Sequence, residues 1–98
     1  MPTFAVNMKH PPESCPMFNN EIMKKLKEKV SKREEIAEKH EVKVVSACTS
    51  VLEHLIYYVV EAPSQLAVED YFIETGFASW NSVEIKQVRY VEDVLKML

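Results

Sequence analysis

The segment of residues 55–60 limits the fold more than any other part of the chain, because every residue in it is apolar or aromatic. A strand with one face in water alternates, whereas a strand covered on both faces is a continuous run of β-branched and aromatic residues. In a chain of 98 residues, one layer of helices covers only one side of a sheet. The other side needs a further cover, most simply a second copy of the chain. We therefore expect a homodimer through a sheet face, with either face of the strand as the contact surface.

Composition narrows the class of protein. With 47% hydrophobic and 28% charged residues, the chain has the composition of an ordinary globular domain, and we expect one domain over residues 1–98. A net charge of -3 argues against a nucleic-acid partner, because phosphate contacts need clustered Lys and Arg. The longest apolar run is far shorter than the ~20 residues of a membrane span, so no membrane partner is expected. Cys15 and Cys48 have no CxxC spacing, which favours the reducing cytoplasm.

Hydrophobic periodicity predicts an alternation of strands and helices. A loop rich in proline, residues 10–18, follows the first strand. Asn19 or Asn20 is the predicted N-cap of the first helix. Ser64 is the predicted N-cap of the second, and Gly76 is its predicted C-terminal stop. The predicted strands are 3–9, 42–49, 55–62 and 80–90, the second and third forming an antiparallel hairpin. The predicted helices run from 19 or 20 to about 40, from 64 to 75, and over a short amphipathic tail, 91–98.

The resulting order is β-α-β-β-α-β, the split βαβ or ferredoxin-like arrangement. In this order, and in the apolar third strand, the chain resembles the dimeric α+β-barrel superfamily over residues 2–90, with residues 91–98 as a helical tail. The segment from His10 to Pro16 is also similar to the loop after the first strand in small, uncharacterised cytosolic members. The resemblance implies an α+β fold, with an antiparallel sheet, two helices on one face and a dimeric barrel. Its members include monooxygenases, haem-degrading enzymes, isomerases and sensors.

This topology predicts a cluster of His10, Cys15 and His54. The first and third strands are antiparallel neighbours in it, so His10 at the end of one lies beside His54 at the start of the other. Cys15 lies in the loop that leaves the same edge of the sheet. Two imidazoles and a thiolate suit a transition metal such as zinc, with a coordination position left open. The alternatives are acid–base catalysis by the histidines, a thiol activated by the nearby helix N-terminus, or inert residues at the rim.

The monooxygenase branch implies a different set of residues. Its haem-degrading members use an Asn on the first strand, a Trp and a later His that binds iron. Asn7 and Trp80 match the first two, but no His follows His54, so no haem or other cofactor is expected. Cofactor-free oxygenation would use Asn7 to orient oxygen. The aromatic candidates for the ligand pocket are Tyr57, Tyr58, Tyr71 and Trp80, for which the alternative is a purely structural role in the core.

Two basic residues break the apolar side of the first long helix. Lys29 and Arg33 are spaced i,i+4 and project into the arc of its apolar residues. They could bind an anionic substrate. Alternatively, their stems lie along apolar surface, or the helix bends near Ser31 and changes phase.

The sequence therefore favours a homodimer that binds a small organic molecule between sheet and helices, with a monooxygenase-like activity as one option. The candidate catalytic residues are Asn7, His10, Cys15 and His54, and the candidate ligand contacts are the four aromatic residues with Lys29 and Arg33. A metal-binding protein using His10, Cys15 and His54 is the alternative. A non-catalytic interaction or sensor module is the third, and the sequence leaves open whether the protein is an enzyme.

Overall fold

Every second residue of the first strand is apolar, and these residues lie on the inner face of an antiparallel sheet. The computed structural model describes the whole chain, residues 1–98, as an α+β fold with four strands and four α-helices. The strands are β1 (Thr3–Lys9), β2 (Lys43–Ser50), β3 (Leu55–Glu61) and β4 (Ser82–Val88). The α-helices are α1 (Asn20–Val30), α2 (Arg33–Lys39), α3 (Gln65–Glu74) and α4 (Val91–Leu95), and two short 3-10 turns lie at Pro12–Ser14 and Phe77–Ser79.

The four strands form one open sheet in the order β2-β3-β1-β4, with every neighbouring pair antiparallel. The predicted hairpin is confirmed, because β2 pairs with β3. The predicted central pair is confirmed as well, since β1 and β3 are neighbours from Thr3 opposite Glu61 to Lys9 opposite Leu55. The end of β1 and the start of β3 therefore meet at one edge of the sheet.

The core lies between one face of the sheet and helix α3. Phe4, Val6 and Met8 are buried on that face of β1, and α3 buries Val68, Tyr71 and Phe72 against it. The predicted cap of α3 is confirmed: Ser64 accepts a 3.2 Å hydrogen bond from the backbone N–H of Ala67. The predicted stop also holds, because Gly76 has a φ of 86° in the left-handed region that glycine adopts without penalty.

Residues 55–60 divide between the two faces of the sheet. Ile56 and Val60 are buried on the helix side, and Tyr58 packs against the same core. Tyr57 and Val59 point to the other side, which no helix of the chain covers, and Tyr57 is 41% exposed. Within one chain, the helices therefore cover only one face of β3.

The predicted helix over 20–40 is wrong as a single element. It breaks between α1 and α2, where the Ser31 hydroxyl donates a 2.8 Å hydrogen bond to the Glu28 carbonyl and the Lys32 N–H bonds the Lys29 carbonyl at 3.0 Å. Serine competes in this way with the regular helical hydrogen bonds. Helix α1 buries none of its residues fully, and α2 buries only Ile36.

The C-terminal part of the chain differs from its predicted bounds. Strand β4 is shorter than predicted, because Trp80 and Asn81 belong to the turn that precedes Ser82. The predicted tail helix is present as α4, but its apolar residues are exposed, with Val91 at 67% and Leu95 at 60%. None of the helices combines the length and the apolar character needed to cross a bilayer.

Candidate metal centre

His10 follows β1 directly and is held against β3. Its backbone N–H donates a 3.2 Å hydrogen bond to the carbonyl of His54. Its imidazole makes edge-on contacts with the rings of His54 and Trp80, at centroid distances of 5.3 and 4.9 Å. With 6% exposure, the His10 side chain is inside the protein.

Asn81 determines the proton position on His10. The Nδ2 of Asn81 donates a 3.0 Å hydrogen bond to the Phe77 carbonyl, which can only accept, so the Oδ1 of Asn81 is the atom that faces His10. This Oδ1 lies 2.8 Å from the Nδ1 of His10, which must therefore donate. In the neutral ring the Nε2 then carries a lone pair. That Nε2 is buried and has no hydrogen-bond partner.

Sequence reasoning missed Asn81 as a member of the site. The predicted last strand began at Trp80 and treated Asn81 as an ordinary strand residue. Because Lys9 pairs with Ser82 in the β1–β4 register, Asn81 comes next to His10 at the sheet edge. The register of the β1–β4 pair is the signal that would have identified Asn81.

His54 ends the turn between β2 and β3 in a strained conformation. Its φ of 59° lies in the left-handed region, which costs a residue with a Cβ about 1–2 kcal/mol. Such strain is concentrated at functional sites, where the surrounding structure holds it. The Nδ1 of His54 is also buried without a hydrogen-bond partner. The strained backbone thus brings a second unpaired imidazole nitrogen to the same edge.

Cys15 is fixed by the proline-rich loop. Its N–H donates to the Pro12 carbonyl at 3.1 Å, and its own carbonyl accepts from the N–H of Phe18 at 2.9 Å and of Asn19 at 2.8 Å. Asn19 then caps α1 by accepting from the N–H groups of Glu21 and Ile22, both at 3.1 Å. The Cys15 side chain is a free thiol with 3% exposure.

The predicted convergence of His10, Cys15 and His54 is present in the structure. One ring nitrogen of each histidine and the Sγ of Cys15 all lie within 4.8 Å of one another. In a tetrahedral zinc site the ligand atoms are about 3.4–3.6 Å apart, given Zn–N and Zn–S bonds of about 2.1 and 2.3 Å. Small side-chain rotations, closing the widest pair by about 1 Å, would bring the three donors to that spacing.

An apolar cavity of about 310 Å³ adjoins two of the three donors. His10 and Cys15 line it, and most of its other lining residues are apolar or aromatic. Its walls come from the loop after β1, helix α1, the β2–β3 hairpin and the turn before β4: Met17, Met23, Leu26, Ile56, Phe77 and Trp80 are among them. A small ligand in this cavity would lie beside His10 and Cys15, in contact with apolar side chains.

The other predicted site residues lie in three places. Tyr58 and Trp80 line the cavity beside the donors. A second cavity is lined by Tyr58, Tyr71 and Arg33. Lys29 lines a small pocket next to it. Asn7 and Tyr57 are paired on the uncovered face of the sheet, so their expected placement with the pocket residues is wrong. The cause is the alternation of β1 and β3, which directs these two side chains away from the helices.

Burial affects the tyrosines of this region. Burial raises the pKa of Tyr71 to about 12, with a further increase from Tyr58 and an opposing effect of the Arg33 charge. Burial also raises the pKa of Tyr58, again opposed by Arg33. Both side chains are therefore neutral hydroxyls at physiological pH.

A scan of known protein-family models finds no match to this chain, and a search of curated proteins finds none either.

Proposed function

We propose that the protein binds a divalent transition metal, zinc by preference, through His10, Cys15 and His54. The observation that carries this proposal is the pair of buried imidazole nitrogens, His10 Nε2 and His54 Nδ1, that have no hydrogen-bond partner. A buried polar atom left unpaired costs about 1–3 kcal/mol. With a buried thiol in the same cluster, a bound metal would provide the missing partner for both nitrogens.

The surroundings of His10 support a metal in particular. Histidine ligands of metals commonly donate their second ring N–H to a carbonyl or carboxylate oxygen, and His10 has this arrangement with Asn81. Zinc sites with three protein ligands keep a fourth position for water or substrate, and the adjoining cavity is the space from which such a ligand would come. A bound zinc would act as a Lewis acid there. The apolar walls of the cavity would hold the apolar part of the ligand.

The expected monooxygenase-like activity is less well supported. Asn7 was the residue expected to orient oxygen, but it lies on the opposite face of the sheet from the cavity. The proposed chemistry therefore belongs to the metal-binding alternative, with a small organic ligand retained from the first hypothesis.

We propose further that the fold is ferredoxin-like and that two copies pair through the uncovered sheet face. The strand order β2-β3-β1-β4 supports the first point. For the second, Leu55, Tyr57 and Val59 form an apolar row on that face, and α4 presents exposed apolar residues at the end of the chain. A second copy would bury both surfaces, as closed two-fold dimers do.

Metal titration of protein purified without a His tag tests the site. We expect one equivalent of Zn²⁺ or Co²⁺ to bind, and the cobalt form to show the intense near-ultraviolet absorption of a thiolate ligand. Cys15→Ser should remove that absorption and His10→Gln should weaken binding. Cys48→Ser is the control for loss of a thiol, because Cys48 is exposed and outside the cluster of donors, although it lines the adjoining cavity. Equal effects of Cys15→Ser and Cys48→Ser, or no bound metal, would contradict the proposal.

A further inference from the structure

A second groove, of about 550 Å³, lies between β2 and the helices α2 and α3. It shares two lining residues, Ala47 and Tyr58, with the cavity beside the candidate metal centre. Edge-on contacts with Phe72 and Phe77, at centroid distances of 5.1 and 5.9 Å, hold the ring of Tyr58 in place. The two cavities therefore adjoin at a fixed aromatic side chain.

Arg33 gives this groove a positive charge without a protein partner. The ion pairs of the structure join Lys39 and His40 to Glu74, Lys43 to Glu61, and Lys86 to Glu84, and Arg33 takes part in none of them. An arginine is a planar donor suited to bidentate binding of an anionic group. The groove thus contains an anion-binding group that the protein itself does not use.

Two tyrosine hydroxyls accompany Arg33. Tyr58 and Tyr71 line the same groove, and Tyr71 does so although it is only 2% exposed. The Arg33 charge acts on both phenols, and burial raises the pKa of each, so both hydroxyls keep their protons and can donate. Tyr90, in contrast, uses its hydroxyl within the protein, 3.3 Å from Glu61.

The other charged residues around the groove determine which anion charge it favours. Glu34 and Glu38 line it together with Arg33 and Lys43, so the charges of the lining sum to zero. Lys43 lies 3.9 Å from Glu61, which leaves Arg33 as the free cation. This arrangement suits a single negative charge, whereas a dianionic phosphate would be repelled by the two glutamates.

We propose that the ligand is an organic acid, whose carboxylate binds Arg33 and the hydroxyls of Tyr58 and Tyr71 and whose apolar part enters the cavity beside His10. This inference deepens the proposed function and rests on it for the use of the cavity beside His10 as a ligand site. Recognition of the carboxylate itself needs no metal. The ligand class is therefore a medium-chain or aryl-alkyl carboxylate.

Trp80 provides the readout, because it is the only tryptophan and lines the cavity that the apolar end would enter. Octanoate, octanamide and octyl phosphate are titrated against the full chain, following Trp80 fluorescence and heat of binding. A charge-assisted hydrogen bond contributes roughly 1.5–3 kcal/mol, so octanoate should bind about tenfold or more tighter than octanamide. Octyl phosphate should bind more weakly than octanoate.

Variants separate this inference from the metal proposal. Arg33→Gln should remove the preference for octanoate over octanamide, and Tyr71→Phe should reduce it. Lys29→Gln, in α1 and outside the lining of the groove, and Tyr57→Phe, on the opposite sheet face, should leave it unchanged. Equal binding of octanoate and octanamide, tighter binding of octyl phosphate, or an unchanged preference in Arg33→Gln would overturn the inference. Cys15→Ser, which removes the metal site, should retain the preference, so the two proposals fail independently.

Discussion

The Nδ1 of His10 and the Oδ1 of Asn81 are joined by a 2.8 Å hydrogen bond, which leaves the buried, unpartnered Nε2 of His10 as the nitrogen that bears the lone pair of the neutral ring. The donor and the acceptor of this bond are fixed, because the amide nitrogen of Asn81 already donates to the Phe77 carbonyl. The turn that precedes β4 therefore sets the tautomer of His10, which follows β1.

Asn81 should be a positioning residue for the metal. Asn81→Leu leaves the Nδ1 of His10 unpaired, and loss of such a partner typically lowers metal affinity about 10–100-fold. Asn81→Asp keeps an acceptor at the same place and should retain most of the affinity. Competition with a chromogenic zinc chelator measures both. Equal affinities of the Leu variant and the unmodified protein would show that Asn81 has no role in binding.

His54→Gly should stabilise the metal-free protein while abolishing metal binding. Glycine removes the strain of the 59° φ, worth about 1 kcal/mol, and removes the unpaired Nδ1 as well. Glu41→Gly is the matched control, because Glu41 has a φ of 57° and is outside the cluster. It should stabilise without changing metal affinity. Urea unfolding gives the stability, and a His54→Gly protein less stable than the starting one would refute the strain argument.

The raised pKa of Tyr71 predicts a loss of stability in base. The unfolded phenol ionises near its ordinary pKa of 10.0, whereas the folded one keeps its proton to about 12. Between these values the folded state binds more protons than the unfolded state, so the free energy of unfolding falls as pH rises. Tyr71→Phe should make this fall shallower, as followed by urea unfolding at pH 9, 10 and 11. Tyr57→Phe, with its exposed side chain, should not.

Substitutions in β3 should separate assembly from folding. Val59→Asp places a charge on the uncovered face and should convert a dimer into folded monomers. Ile56→Asp places it in the core and should unfold the protein, since an unpaired buried charge is strongly destabilising. Sedimentation and circular dichroism distinguish the two outcomes. A monomeric unmodified protein at micromolar concentration would remove the argument for a dimer.

Deletion of residues 91–98 should weaken the same assembly. The apolar side chains of α4 are exposed on the single chain, so their removal costs the isolated fold little. In a dimer they would be covered, and their loss should lower the melting temperature in a concentration-dependent way. A melting temperature that is the same with and without the tail would place α4 outside the interface.

Much of the fold could be predicted because local signals and topology agree. Short-range sterics and hydrogen bonds set the ends of several elements. Examples are the prolines after β1, the N-cap at Ser64 and the C-terminal stop at Gly76. Given the strand order, the meeting of His10 and His54 follows from antiparallel pairing alone. The bend near Ser31 was one of the alternatives for the first long helix, and the sequence left it open. In the structure α1 ends at Val30, and the Ser31 hydroxyl bonds the Glu28 carbonyl.

The sequence by itself determined the element order, the central strand pair and the edge at which His10, Cys15 and His54 meet, because each depends on contacts between neighbours in the chain or on strand direction. Only the tertiary structure decided which face of β3 the helices cover, and therefore that Tyr58 reaches the cavity while Tyr57 and Asn7 do not. It also decided the partner of His10. Alternation allows either face to be inside, and the docking of distant helices and of β4 makes the choice.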